Sequence, residues 1–316
     1  MAAPEELLLL LDRRLAALRR ARPDFDDVLD LQEQLIRQSL TSARPAQAQP
    51  FPLPRDQVAA RIRGGVPLLH DQPASVDIHF AADLFSRLVN VLEQREDPEL
   101  HTGLDALVGA ATSGRLDPER LFGEAFVQHG EHLAELAVQA DVDADLLATV
   151  AAQAVAPLIR AYAAHLLPLI ERLDDGSPDG AVWQHGYCPV CGGWPALGEL
   201  RGVELAQFLR CAACGSGWRT QRLCCPYCGN DDFHSLQTLT VEGEKRFRIA
   251  VCERCKGYLK VGNAFDPPPA ELLALDDAAS LHLDVVAIER GYHRPGGTGF
   301  CIELAVPDEA WVEEVD

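Results

Sequence analysis

The chain has 316 residues, with 28 Lys and Arg against 48 Asp and Glu, a formal charge of -20 and a pI near 4.8. Hydrophobic residues make up 47% and charged residues 24%, an ordinary globular composition in a chain long enough for two domains. A net negative charge of this size has the wrong sign for coating nucleic acid or anionic membrane; it favours solubility and reads first as a solvated acidic surface, with a basic partner as the alternative.

The first 173 residues read as helical. Leu7, Leu8, Leu11, Leu15 and Leu18 recur at three- and four-residue steps and share one helical face. This leucine run is flanked by Glu5, Glu6 and Asp12 and lacks the basic start and cleavage pattern of an export signal, so the expected location is cytoplasmic. Asp24 after Pro23 is expected to open a second helix bearing Val28, Leu31, Leu35 and Ile36, and the proline-rich stretch 43–54 a loop. A helix is expected near Asp77–Gln94, with Leu84, Leu88, Val91 and Leu92 facing inward.

Asp97 and Asp117, each followed by proline, have the pattern of N-caps. Asp143 is expected to cap a long helix ending near Leu173, bent or broken at Pro157 and Pro168. Ala144 to Ile170 is the most apolar stretch, but Asp145, Arg160 and His165 interrupt it. It reads as a buried helix and not as a membrane span. His129 and His132, beside Glu131 and Glu135, do not make an HExxH zinc site and read as surface residues. Residues 174–180, rich in Asp, Gly and Pro, are the expected linker.

The character of the chain then changes. None of the ten cysteines precedes residue 188, and the only lysines are Lys245, Lys256 and Lys260. Residues 1–182 carry 16 basic and 29 acidic groups, whereas residues 183–262 carry 10 and 7. This basic segment holds four CxxC pairs: Cys188/Cys191, Cys211/Cys214, Cys225/Cys228 and Cys252/Cys255. Two intervening residues let both thiolates of a tight turn face one ion, and a glycine after the second cysteine suits the positive φ of such a turn. Two turns supply the four sulfurs that a tetrahedral Zn²⁺ or a rubredoxin-like iron takes.

Nineteen residues separate Cys191 from Cys211, 23 separate Cys228 from Cys252, and ten separate Cys214 from Cys225. The long gaps fit hairpins turning at Arg201-Gly202 and at Glu242-Gly243, so the cysteines are expected to pair sequentially, two turns to each site. Clustered CxxC turns in a cytoplasmic chain argue against disulfides. Cys224 and Cys301 are expected to be packed small residues. Two divalent ions with eight thiolates leave the segment near neutrality, and Arg219, Arg222, Lys245, Arg246 and Arg248 read as a solvated face. The glycine loop 296–299 lacks the lysine of a phosphate loop, and no nucleophile has an identifiable base, so an enzyme is not indicated.

The ordered series Cys188-Pro189-Val190-Cys191-Gly192-Gly193-Trp194-Pro195, Leu209-Arg210-Cys211, Cys214, Trp218-Arg219, Arg222, Cys225, Cys228 and Val251-Cys252 to Lys260 resembles the FdhE family of formate dehydrogenase accessory proteins. Asp276-Asp277 to Asp284 and Gly291-Tyr292 to Phe300 extend the resemblance over about residues 185–300. Gly297-Thr298-Gly299 stands where that family is expected to carry an asparagine-proline pair.

The expected fold is a multidomain α plus small β protein: a helical domain (1–180), two tandem rubredoxin-like or zinc-ribbon modules (181–222 and 223–263), and a C-terminal segment (264–316) packing on the rest. The resemblance implies two metal ions, one per four-cysteine site, with iron favoured over zinc. The implied function is non-catalytic: assembly or quality control of the catalytic subunit of a twin-arginine-exported formate dehydrogenase. A rubredoxin-like electron-transfer factor and a nucleic-acid-binding zinc ribbon are the alternatives.

Overall fold

Leucines at helical spacing build α1 (Pro4–Ala21), whose Leu7, Leu11, Leu15 and Leu18 are buried. The computed structural model describes residues 3–42, 46, 48–173 and 181–305; the expected linker and the end of the C-terminal segment lie outside them. Pro23–Phe25 form a 3-10 turn, and α2 (Asp26–Leu40) starts after it. Asp24 therefore does not open α2: its carboxylate accepts from Arg22 instead. Leu29 and Ile36 are the residues α2 buries.

Helices α3 (Arg55–Gly64), α4 (Ile78–Leu92), α5 (Pro98–Thr112), α6 (Pro118–Val127) and α7 (Gly130–Ala140) precede the long α8 (Ala144–Glu171). Asp77, Asp97, Asp117 and Asp143 each accept a backbone N–H in the first turn of α4, α5, α6 and α8. Such caps contribute about 1 kcal/mol apiece.

Pro157 and Pro168 do not break α8, which runs through both. Packing against α3, α4, α6 and α7 compensates for the backbone bonds the prolines remove. By length and hydropathy α8 does meet the measure of a membrane span, contrary to the expectation from its charges, but 61% of its apolar window is buried inside the protein. Tyr162 is fully packed there, and its hydroxyl donates to the Ser75 carbonyl.

The cysteine-rich segment folds into strands β1 (Pro195–Arg201), β2 (Ala206–Cys211) and β3 (Gly217–Arg219), then β4 (Leu236–Leu239), β5 (Phe247–Cys252) and β6 (Tyr258–Ala264). Each half is an antiparallel unit, with Gly202 and Gly243 at φ +67° and +83° in the connections that turn β1 into β2 and β4 into β5. The two halves share one six-stranded sheet, ordered β3-β2-β1-β6-β5-β4, in which β1 and β6 pair in parallel. Gly198 lies at that junction against Val261: a Cβ there would sit 3.0 Å from Val261 Cγ2, a tight contact.

The chain returns through α9 (Leu273–Ala278) and α10 (Leu281–Glu289). Leu272, Leu275 and Ala279 close a small core with leucines of α1 and α2. Leu283 and Ala287 of α10 pack on Ile249, Val251 and Tyr258 of the sheet. The main core extends from the helices to Cys188, Cys191, Cys211 and Cys214.

Candidate metal centres

The four CxxC turns repeat one backbone design. The first cysteine's N–H donates five residues onward, from Cys188 to Gly193, Cys211 to Ser216, Cys225 to Asn230 and Cys252 to Gly257, over 2.8–3.0 Å. The residue after the second cysteine is left-handed each time: Gly192, Gly215, Gly229 and, without glycine's freedom, Lys256 at φ +56°. The strands deliver these turns in pairs, because β1 and β2, or β4 and β5, run antiparallel between them.

The structure brings together Cys188, Cys191, Cys211 and Cys214 in one group and Cys225, Cys228, Cys252 and Cys255 in another, and both groups can hold a metal ion. Within the first, Sγ separations are 3.6 Å for Cys188–Cys214, 3.5 Å for Cys191–Cys211 and 3.6 Å for Cys191–Cys214. In the second they are 3.6 Å for Cys225–Cys255 and 3.8 Å for Cys228–Cys252. A tetrahedron with metal–sulfur bonds of about 2.3 Å has edges of about 3.8 Å, so both groups fit a four-sulfur ion. A disulfide would need about 2.05 Å.

The environments differ. The first group is sealed, with its cysteines at most 1% exposed, whereas Cys228 is exposed and Cys255 half-buried. Burial pushes the Cys188 and Cys225 thiols up. Burial would raise Cys252 too, but backbone N–H groups of Cys255 and Arg254 and the neighbouring thiols hold it down at about 7. Polar side chains also reach the sulfurs: Ser216 Oγ lies 3.2 Å from Cys214 Sγ, and Asn230 Nδ2 lies 3.6 Å from Cys252 Sγ.

The first turn is docked on all sides. Leu68 and Leu69 N–H groups donate to the Pro189 and Val190 carbonyls, and Gln128 Nε2 donates to the Cys191 carbonyl over 3.1 Å. Gly299 and Phe300 N–H groups donate to the Gly192 carbonyl. Its partner turn is clamped by Arg210, which donates to Gly215 O, Glu199 Oε1 and Pro268 O at 3.0, 2.7 and 3.0 Å. Arg210 and Glu199 are 4% and 5% exposed, so this is a buried, satisfied ion pair.

Gln128 and Glu199 carry no local sequence signal for this work. Their roles exist only once α6 and β1 stand beside the turns.

Other expectations change. Cys301 is exposed, not buried, because the segment that carries it crosses the surface beside Thr298. Cys224 is half-buried and lines a groove of about 390 Å³ on the sheet, with Leu236, Ala250, Leu259, Val261 and Arg248 among its walls. Arg246 is not a free surface cation: it pairs with the buried Asp276 at 2.6 Å, which also receives Arg14. His129 and His132 gather around Glu124 of α6, and not around Glu131 or Glu135.

A helical layer carrying two four-thiol ribbon clusters on a shared sheet defines a protein organised around paired sulfur sites able to hold metal. Residues 223–300 match the model of the FdhE C-terminal domain. The chain is 34% identical over 113 residues to the FdhE homologue of Aquifex aeolicus, covering 35% of this chain and 40% of that protein. It is 31% identical over 134 residues to the FdhE homologue of Shewanella baltica strain OS185, covering 42% of each. These matches span about two fifths of the relatives' length. The fold is similar to the crystal structure of the FdhE protein from Pseudomonas aeruginosa, with a TM-score of 0.52 and 22% identity over 95% of this chain and 97% of that one. Residues 223–300 are thus similar to the FdhE C-terminal domain, and the fold as a whole is similar to that of an FdhE protein.

Proposed function

We propose that the protein is a non-catalytic assembly or quality-control factor for the catalytic subunit of a formate dehydrogenase, acting in the cytoplasm before that subunit is exported. The observation that carries this reading is the pair of four-thiol groups, each grouped at tetrahedral separations, in a chain similar to FdhE proteins. Four protein sulfurs fill a tetrahedral shell and leave no position for substrate, which supports a structural or recognition role. Cys188, Cys191, Cys211 and Cys214 hold one ion and Cys225, Cys228, Cys252 and Cys255 the other, with iron favoured by family resemblance.

The ribbon face recognises the client, and the groove of about 390 Å³ on the sheet gives it an apolar seat bordered by Arg222 and Arg248. The acidic helical domain attracts the client's arginine-rich signal by charge, so high salt weakens binding. Affinity purification from the native cytoplasm, with mass spectrometry of the partners, tests the proposal. Recovery of a formate dehydrogenase catalytic subunit supports it; recovery of RNA or transcription components without a dehydrogenase rejects it.

The exposure of Cys228 favours a second reading, in which iron at that site exchanges an electron with a partner. Reversible reduction of the iron-loaded protein by a purified formate dehydrogenase supports this alternative; a redox-silent zinc protein ends it.

A further inference from the structure

The chain reverses sharply between α6 and α7. Gln128, left-handed at φ +61°, donates its N–H to Ala125 O, while His129 N–H donates to Glu124 O. This pair of bonds is the glycine-type helix cap, built here on glutamine. It lays His129 and the first-turn His132 of α7 back over Glu124 in the last turns of α6.

Three potential ligand atoms converge as a result. His129 Nδ1 and His132 Nδ1 lie 3.1 and 2.9 Å from the same Glu124 Oε2, and one ligand atom from each of the three side chains falls within 4.8 Å of the others. The two imidazoles meet edge to face at 4.9 Å. An ion with bonds of about 2.0–2.2 Å to nitrogen and carboxylate oxygen sets neighbouring ligands about 2.9–3.4 Å apart. Both oxygen–nitrogen separations already match that edge.

We propose that Glu124, His129 and His132 form a third metal site, distinct from the cysteine groups, for a divalent ion that favours imidazole, such as Zn²⁺, Co²⁺ or Ni²⁺. Two neutral imidazoles and one carboxylate oppose one positive charge of the dication, and the nearby Glu135 carboxylate adds negative potential. Arg120 stands against Glu135 at 4.0 Å and partly offsets it. Exposure rises outward, from 22% at Glu124 and 23% at His129 to 48% at His132. Protein therefore covers one side of the ion and water completes the shell on the other. The same turn holds the Cys191 carbonyl through Gln128, so the ion braces the contact between the helical layer and the first cysteine turn. This inference does not depend on the client of the protein.

The test uses the full-length protein with both cysteine groups saturated with zinc. Calorimetric titration with Zn²⁺ should reveal one further equivalent. Losing a ligand should cost at least what losing an outer-shell partner costs, about 10–100-fold in affinity. His132→Ala and the near-isosteric Glu124→Gln should each weaken the extra equivalent by that factor while the zinc in the cysteine groups stays in place. Co²⁺ at the extra site should give weak visible bands without sulfur-to-cobalt charge transfer. A wild-type protein that takes up no further equivalent overturns the proposal. So does an equivalent that both variants leave unchanged.

Discussion

The fully buried ammonium of Lys260 lies 2.6 Å from Asp284 Oδ2 and ties the inner strand β6 to α10 across 24 residues of chain. It also reaches Asp277 Oδ1 and the Asp277 carbonyl, both at 2.8 Å. Arg294 Nη2 bridges the same two carboxylates at 2.7 and 2.8 Å, and the Tyr258 hydroxyl donates to Asp284. Tyr258 and Lys260 of the Tyr258-Leu259-Lys260 run and Asp277 and Asp284 downstream are thus one polar network, closing the returning chain onto the sheet.

Removing one partner of this network should cost far more than replacing the cation. Asp284→Ala leaves the buried ammonium with Asp277 alone, takes an acceptor from Arg294 and Tyr258, and should lose about 3 kcal/mol of unfolding free energy. Lys260→Met keeps the volume, leaves Arg294 with both carboxylates, and should lose clearly less. Equilibrium denaturation of the two variants checks the order; equal losses would show that the ion pair itself is not what matters.

Acid should loosen the same junction. Burial alone would raise Asp277, but Arg294 and Lys260 outweigh it and hold the carboxyl below the usual range. A lowered folded value means the stabilisation is complete above the unfolded pKa of about 3.9 and fades as pH falls through the folded one. Wild type should therefore lose stability below about pH 4 more steeply than Asp277→Asn, as followed by thermal melting against pH.

The two cysteine groups should release metal in order. Cys228 is exposed at the second group, while the first lies in the main core, so a chelator should strip the second ion first. Chelator kinetics with metal analysis should show two phases, with Cys228→Ser accelerating only the fast one. A single phase would count against separate accessibility. Cys188→Ser with Cys191→Ser should unfold the first ribbon and abolish client binding; a metal-free variant that still binds would remove the ribbons as the docking element.

Arg210 should matter to the first centre without touching metal. Arg210→Ala leaves the Gly215 and Pro268 carbonyls without its donors and weakens the pairing of buried Glu199, a loss of about 3 kcal/mol. Arg210→Lys cannot reproduce the three-way fork and should recover little. Faster metal loss from the first group, with the second unchanged, is the expected readout.

Most of the local architecture was legible in the chain. Leucine spacing marked the buried face of α1, acid-proline pairs marked the starts of α5 and α6, and glycines after CxxC pairs marked three of the four left-handed turns. These are short-range effects of sterics and backbone hydrogen bonding, so a few neighbouring residues suffice to specify them.

What joins distant segments was not legible. Parallel pairing of β1 with β6, which makes one sheet of two ribbons, joins strands about 60 residues apart, and no local pattern announces it. Pro157 and Pro168 do not end α8, because packing from four other helices outweighs two missing backbone bonds. Glu124 joined His129 and His132, in place of the adjacent Glu131 and Glu135, because the cap at Gln128 folds α7 back over α6. The sequence by itself determined which side chains can ligate and which turns present them. Tertiary structure alone decided which centre is sealed and which is open, because burial is set by the elements packed around each turn.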